Sequence, residues 1–279
     1  MPYTAEISRS NPTCFLFLID QSGSMADVFP TEGAKRKADG VADAINKLLQ
    51  TLVIRCAKEE GVRDYFHVGV IGYGASVGPA FGGALSGKEL VPISEIANSP
   101  VRVEERAKKV DDGAGGLVDQ NVRFPIWFDA TTGGGTPMCQ ALSQGKRILQ
   151  QWLGQHSGSF PPVVIHITDG ESTDGDPSQA MREVTSLSSN DGNVLLFNLH
   201  LSSNPSAVST AFPDSSSQLP DQFARTLFDS ASLLTPFMRT VAAEHGFRLG
   251  EGAKCFVLNA ELVLVIQALD IGTRPSNLR

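Results

Sequence analysis

Asp20, Ser22 and Ser24 stand at alternate positions just after the apolar run Phe15-Leu16-Phe17-Leu18-Ile19. A run of this kind reads as a buried strand, so the three side chains are delivered together at its carboxyl end. One carboxylate and two hydroxyls at that spacing are hard oxygen donors. They suit a divalent cation such as Mg2+, which takes an octahedral oxygen shell at about 2.0–2.1 Å and keeps several waters. Because hydroxyls bring no negative charge, the ion stays partly unneutralised and attracts an outside anion. Two further oxygen side chains follow downstream. Thr136 comes after the turn Gly133-Gly134-Gly135, and Asp169 follows a second apolar run, Val163-Val164-Ile165-His166-Ile167, within Thr168-Asp169-Gly170-Glu171.

The five-residue set Asp20-x-Ser22-x-Ser24, Thr136 and Asp169 resembles the metal-ion-dependent adhesion site of the von Willebrand factor type A domain family. A lone Asp-x-Ser-x-Ser would be a weak signal, because Asp and Ser are common in solvated turns. Here it sits behind a buried-type strand, and its partners follow a Gly-rich turn and a second such strand in the family's order. The resemblance covers roughly residues 11–270. It implies that Ser22 and Ser24 bind the ion directly and that Thr136 is a switchable ligand engaged in the partner-bound state. It further implies that Asp20 and Asp169 hold coordinated waters and hydroxyls, and that an Asp or Glu of a protein partner fills the last position. Mg2+ is the implied metal, and Mn2+ and Ca2+ accept the same donors. The implied role is a non-enzymatic interaction module of the bacterial intracellular type, an adaptor in signalling or macromolecular assembly.

Two other readings compete. A metal-assisted phosphohydrolase or phosphotransferase would use Asp20, but enzymes of the haloacid-dehalogenase type want a second carboxylate where this chain has Ser22. The Gly-x-Ser-x-Gly elbow of serine hydrolases is not matched, and Gly133-Gly134-Gly135-Thr136 lacks the Lys of a phosphate-binding loop. The remaining alternative is a scaffold whose metal site is empty, against which the intact five-residue set argues. Glu171, Asp174 and Asp176 lie near Asp169 in sequence and either tune its field or belong to a polar loop and a helix cap.

The elements that must position these residues are legible in the apolar periodicity. Ala38, Val41, Ile45, Leu48, Leu49, Leu52 and Cys56 form one helical stripe that needs a sheet to cover. His67-Val68-Gly69-Val70-Ile71-Gly72-Tyr73 reads as a strand, with residues 75–81 a weaker hairpin partner. A helix starting at Thr136 is expected to use that residue as cap and Pro137 at its first position, with Met138, Ala141, Leu142, Ile148, Leu149 and Trp152 inward. Asp176 caps the next helix, which turns Ala180, Met181, Val184 and Leu187 inward, and residues 194–201 return as a strand. A Ser-rich loop is expected over residues 202–218. A helix over residues 236–244 stops at Gly246, and Asn259 is read as the cap of a last helix through Leu262, Val265, Ile266 and Leu269, with a strand as the alternative there.

Strands alternating with helices predict an α/β fold, a doubly wound and mostly parallel sheet with helices on both faces. Ligands of such sheets bind beyond the strands' carboxyl ends at the topological switch point, where Asp20 and Asp169 fall. The expectation is one domain over residues 1–279, with an insertion at 82–135 and helical elements at 219–270. The insertion leads into the Thr136 loop, so it either lies beside the metal or, through Trp127 and Phe128, pins itself to the core.

Composition narrows the classes. The 279 residues are 41% hydrophobic and 19% charged, ordinary for a globular chain. A formal charge of -7 argues against a nucleic-acid surface. The densest basic spot, Arg102, Arg106, Lys108 and Lys109, is interleaved with or flanked by Glu104, Glu105, Asp111 and Asp112 and reads as a solvated face. No segment has signal-peptide character or the roughly 20 apolar residues needed to cross a bilayer, so a cytoplasmic location is expected. Cys14, Cys56, Cys139 and Cys255 form no Cys-x-x-Cys pair and read as reduced thiols, while the five histidines show no metal spacing.

Overall fold

In a computed structural model of the chain, residues 2–29, 34–111, 117–202, 208–276 and 278 are described, without the side chains of residues 108–111, 117 and 118. Along the chain run β1 (Thr13–Asp20), α1 (Lys37–Cys56), a short ladder of β2 (Ala57–Lys58) with β3 (Gly61–Val62), β4 (Phe66–Tyr73), β5 (Val77–Pro79), β6 (Val91–Pro92), α2 (Ile93–Asn98) and the pair β7 (Arg102–Asp111) and β8 (Leu117–Ile126). Then follow α3 (Met138–Gln155), β9 (Val163–Thr168), α4 (Ser178–Thr185), the ladder β10 (Ser188–Ser189) with β11 (Gly192–Asn193), β12 (Leu195–Leu201), β13 (Thr210–Ala211), α5 (Gln222–Ser230), α6 (Pro236–Glu244), β14 (Phe256–Ala260) and α7 (Leu262–Thr273).

The sheet has the order β13-β14-β12-β9-β1-β4-β5, with β6 also paired to β4. Its five central strands, β14, β12, β9, β1 and β4, are parallel, and β13, β5 and β6 are antiparallel additions. The α/β expectation is met. β1 explains its own apolar composition: Phe15, Phe17 and Ile19 enter a core shared with Val41, Ile45 and Leu49 of α1, while Cys14, Leu16 and Leu18 enter a second core with Leu142 and Leu149 of α3. A strand covered on both faces cannot alternate apolar with polar. The chain leaves β1 toward β4 on one side and later returns to β9 on the other, so the carboxyl ends of β1 and β9 frame the switch point.

Residues 82–135 are elaborated with β6, α2 and the β7–β8 hairpin. Trp127 and Phe128 are buried, Asn46 Oδ1 accepts from Trp127 N at 2.9 Å, and Trp127 Nε1 donates to the Ile96 carbonyl at 2.6 Å. Trp127 thereby pins the segment to α1 through Asn46 and ties it internally to its own helix α2 through Ile96. The hairpin is held against α1 by Arg106, which donates to Asp43 Oδ1 at 2.8 Å and lies 3.9 Å over the Phe124 ring. Arg102 and Arg106 are thus ion-paired, Arg102 with Glu104 and Asp129. The side chains of Lys108, Lys109, Asp111 and Asp112, and the stretch 113–116, lie outside the described residues.

The 219–270 region carries the helices α5, α6 and α7, and between the last two β14 enters the sheet beside β12. Two expectations need correction. Asn259 caps no helix: it lies inside β14 with φ 53°, where the β12 register shifts, and its side chain donates to the Val208 carbonyl at 3.2 Å. Helix α7 begins after Glu261 instead. Within 202–218, expected as loop, β13 pairs with β14, and residues 203–207 lie outside the described set. Among the described residues no helix is long and apolar enough to cross a membrane.

Candidate functional site

Three loops meet at the carboxyl ends of β1 and β9. The first carries Asp20, Ser22 and Ser24, the second Gly133 to Thr136, and the third Asp169 to Asp174. Backbone bonds tie the first two: Gly133 N donates to the Gln21 carbonyl at 2.8 Å and Gly23 N to the Gly134 carbonyl at 3.1 Å. The approach is closer than side chains allow. A Cβ on Gly74 would stand 2.5 Å from the Gln21 carbonyl oxygen, and one on Gly134, whose φ is +78°, would stand 2.5 Å from Ala75 N. The third loop is fastened to the second by Thr173, whose Oγ1 accepts from Thr136 N at 2.9 Å while its own N donates to the Thr136 carbonyl at 3.0 Å.

Within this frame, Asp20 Oδ1 accepts from Ser22 N at 2.8 Å and Oδ2 from Thr168 Oγ1 at 2.8 Å. Ser24 Oγ donates to Asp169 Oδ1 at 2.7 Å. With the Ser24 proton committed there, Ser22 is the donor in the 3.1 Å contact between the two serine hydroxyls. Asp20, Ser22 and Thr136 are buried, and Ser24 is exposed. The arrangement is a cluster of oxygens, buried at Asp20, Ser22 and Thr136 and open to solvent at Ser24. Asp20, Ser22, Ser24 and Asp169 are joined side chain to side chain or side chain to backbone, and Thr136 is brought in by its loop.

The charge balance is uneven. Burial raises Asp20 above the ordinary carboxylate value, and the neighbouring Asp169 charge adds to this, against the lowering effect of hydrogen bonds from Ser22 and Thr168. A desolvated carboxylate beside a second one is an anion short of counter-charge. With the Ser24 proton directed at Asp169 and the Ser22 proton at Ser24, each serine oxygen keeps a lone pair for a cation. On both grounds the donor set fits a hard divalent ion. Among the described residues no group of three or more His, Cys, Asp or Glu is placed to hold a metal, so any such site here depends on hydroxyls.

The expected cap of α3 is overturned. Helix α3 begins at Met138, and Thr136 does not cap it. Asp174, from the loop after β9, takes that place: its Oδ1 accepts from Cys139 N at 3.0 Å and its Oδ2 from Gln140 N at 2.9 Å. The Thr136 hydroxyl is therefore not spent on the helix. Asp176 serves α4 locally, its Oδ1 accepting from Ser178 N at 2.9 Å.

Sequence reasoning missed Thr168, Thr173 and Lys37. The Lys37 ammonium bonds to Asp169 Oδ2, and the two side chains are 2% and 0% exposed. One signal was available. Lys37 opens α1, where the helix macrodipole disfavours a cation, and a local rule broken in this way marks a candidate functional residue.

No protein-family model and no curated protein sequence matches the chain. Among solved structures, the vWF domain of the type V pili tip protein Mfa5 from Porphyromonas gingivalis is similar at 13% identity and TM-score 0.31, covering 58% of this chain and 39% of that one. The pilus adhesin RrgA from Streptococcus pneumoniae is similar at 17% identity and TM-score 0.32, with 61% and 22% covered. The adhesive tip pilin GBS104 from Group B Streptococcus agalactiae is similar at 16% identity and TM-score 0.30, with 58% and 46% covered. The chain spans less than half the length of each, and likeness of this degree assigns neither family nor role.

Proposed function

We propose that this chain is a divalent-metal-dependent protein-interaction module of the von Willebrand factor type A kind, in which Asp20, Ser22, Ser24, Thr136 and Asp169 hold the ion. The observation that carries the reading is the continuous chain from Ser22 through Ser24 to Asp169, with buried Asp20 beside it and Thr136 released from helix capping by Asp174. A bound dication would supply an exchangeable, electropositive position for an external Asp or Glu. Ser24 presents its oxygen while its proton points at Asp169 and Ser22 while its proton points at Ser24, Asp20 holds the Ser22 backbone N–H, and Thr136 approaches on a loop held only through its backbone. The role is adhesion to a partner, with no bond made or broken. Mg2+ is the metal proposed, with Mn2+ and Ca2+ admitted by the same oxygens. Four unpaired thiols suit a reducing compartment, which favours an intracellular adaptor.

Calorimetric titration with Mg2+, Mn2+ and Ca2+ tests the reading. One saturable site is expected, abolished in Asp20→Ala and weakened in Thr136→Ala. Absence of binding by all three ions in the folded wild type would establish the scaffold alternative.

A further inference from the structure

Lys37 is an odd residue to find where it is. Its side chain is almost wholly enclosed, it opens a helix whose first turn repels cations, and its ammonium contacts Asp169 Oδ2 directly. Orienting Asp169 does not demand a charge there, since Ser24 already holds the other oxygen and an amide donor would hold this one. The second carboxylate near the ammonium, Asp27, is 3.9 Å away with its side chain 59% exposed, so water screens it. His200, also within the field of Lys37 and Asp169, is kept neutral by burial.

We infer that Lys37 is a built-in counter-cation that sets the charge of the metal site, weakening its hold on the dication and strengthening the loaded site's hold on an anionic partner group. This rests on the metal-site reading above. Asp20 and Asp169 together would cancel a dication, leaving a neutral site with little call for an outside acid. Lys37 offsets one of those carboxylates. The loaded site then carries one positive charge in a partly desolvated pocket, which a single partner carboxylate neutralises. Lys37 is a specificity-determining residue in this account, acting through Asp169 without touching the partner.

The test uses Mn2+ as metal and acetate as the carboxylate probe, with binding read by electron paramagnetic resonance and by water-proton relaxation of the bound Mn2+. In Lys37→Met, Mn2+ affinity is expected to rise on the order of tenfold and acetate affinity for the Mn2+-saturated site to fall several-fold. Because that variant leaves Asp169 buried and unpaired, Lys37→Gln is the companion: its amide can still donate to Asp169 Oδ2 and only the charge is removed, so it is expected to show the same opposite shifts, Mn2+ bound more tightly and acetate more weakly. A simple loss of structure would lower both affinities together. The inference is overturned if metal and acetate affinities move in the same direction in a folded Lys37→Met, if neither moves, or if Lys37→Gln keeps the wild-type affinities. A wild type that binds no Mn2+ overturns the site reading itself, a different result from wild-type Mn2+ binding that Lys37 does not affect.

Discussion

Asp20 is the carboxylate buried at the carboxyl end of β1. Its carboxyl is raised mainly by burial, so in the metal-free protein keeping it ionised costs stability. The sign follows from linkage: stability is greatest while Asp20 is protonated in both states, and it declines as pH rises from the ordinary carboxylate value through the raised folded value. Asp20→Asn is expected to flatten that decline, seen in urea denaturation over the acid range. A cation binds the ionised form, so Mn2+ affinity should be constant at high pH. It should then fall about tenfold per unit once pH drops below the raised value, before free carboxylates begin to titrate. All five candidate ligands were legible at this scale because strand ends and Gly-rich turns are written in local sequence. Lys37 and Thr173 were not, since what they do depends on contacts spanning 132 and 37 residues.

Loops and helix ends decide whether the ligands meet. Asp174 bridges the third loop to α3, and burial works to raise its carboxyl while bonds from the Cys139 and Gln140 amides and Ser172 hold it below the ordinary value. Asp174→Ala should cost about 1–2 kcal/mol of stability in denaturant unfolding and weaken Mn2+ binding as the Thr136 loop loosens. Gly134→Ala puts a side chain at positive φ against the Ala75 amide. It should cost about 1–3 kcal/mol and lower Mn2+ affinity more than it lowers stability, because the displaced backbone belongs to the site. The helices with one apolar stripe and the four runs that became β1, β4, β9 and β12 were readable from periodicity. β14 was not, since its five residues sit directly ahead of the apolar α7 and share its composition. The β7–β8 hairpin was hidden for another reason: its charged alternation is stabilised by ion pairs to each other and to α1, which no local pattern announces.

Across the whole molecule, a buried polar line runs beneath the site through the sheet. Asn198 Nδ2 donates to the Leu227 carbonyl at 2.7 Å, so its Oδ1 accepts from His166 Nδ1 at 2.9 Å, and neutral His166 then accepts from the Tyr73 hydroxyl at 2.7 Å. Burial pushes His166 down from 6.5 to about 4. Its neutral form stabilises the fold fully above the ordinary histidine value, and that contribution, ~3 kcal/mol, is lost as pH falls toward the lowered one. His166→Gln should show a shallower acid slope than wild type in thermal melts. A wild type whose stability is flat across that interval would contradict the network.

The central claim, one dication held by hydroxyls of two loops and steadied by two carboxylates, is tested most directly by a crystal grown with Mn2+ and measured for anomalous scattering. The account predicts a single strong anomalous peak within bonding distance of Ser22 Oγ and Ser24 Oγ, with Asp20, Thr136 and Asp169 around it. An ordered site without that peak at saturating Mn2+, or a peak elsewhere on the molecule, would contradict it.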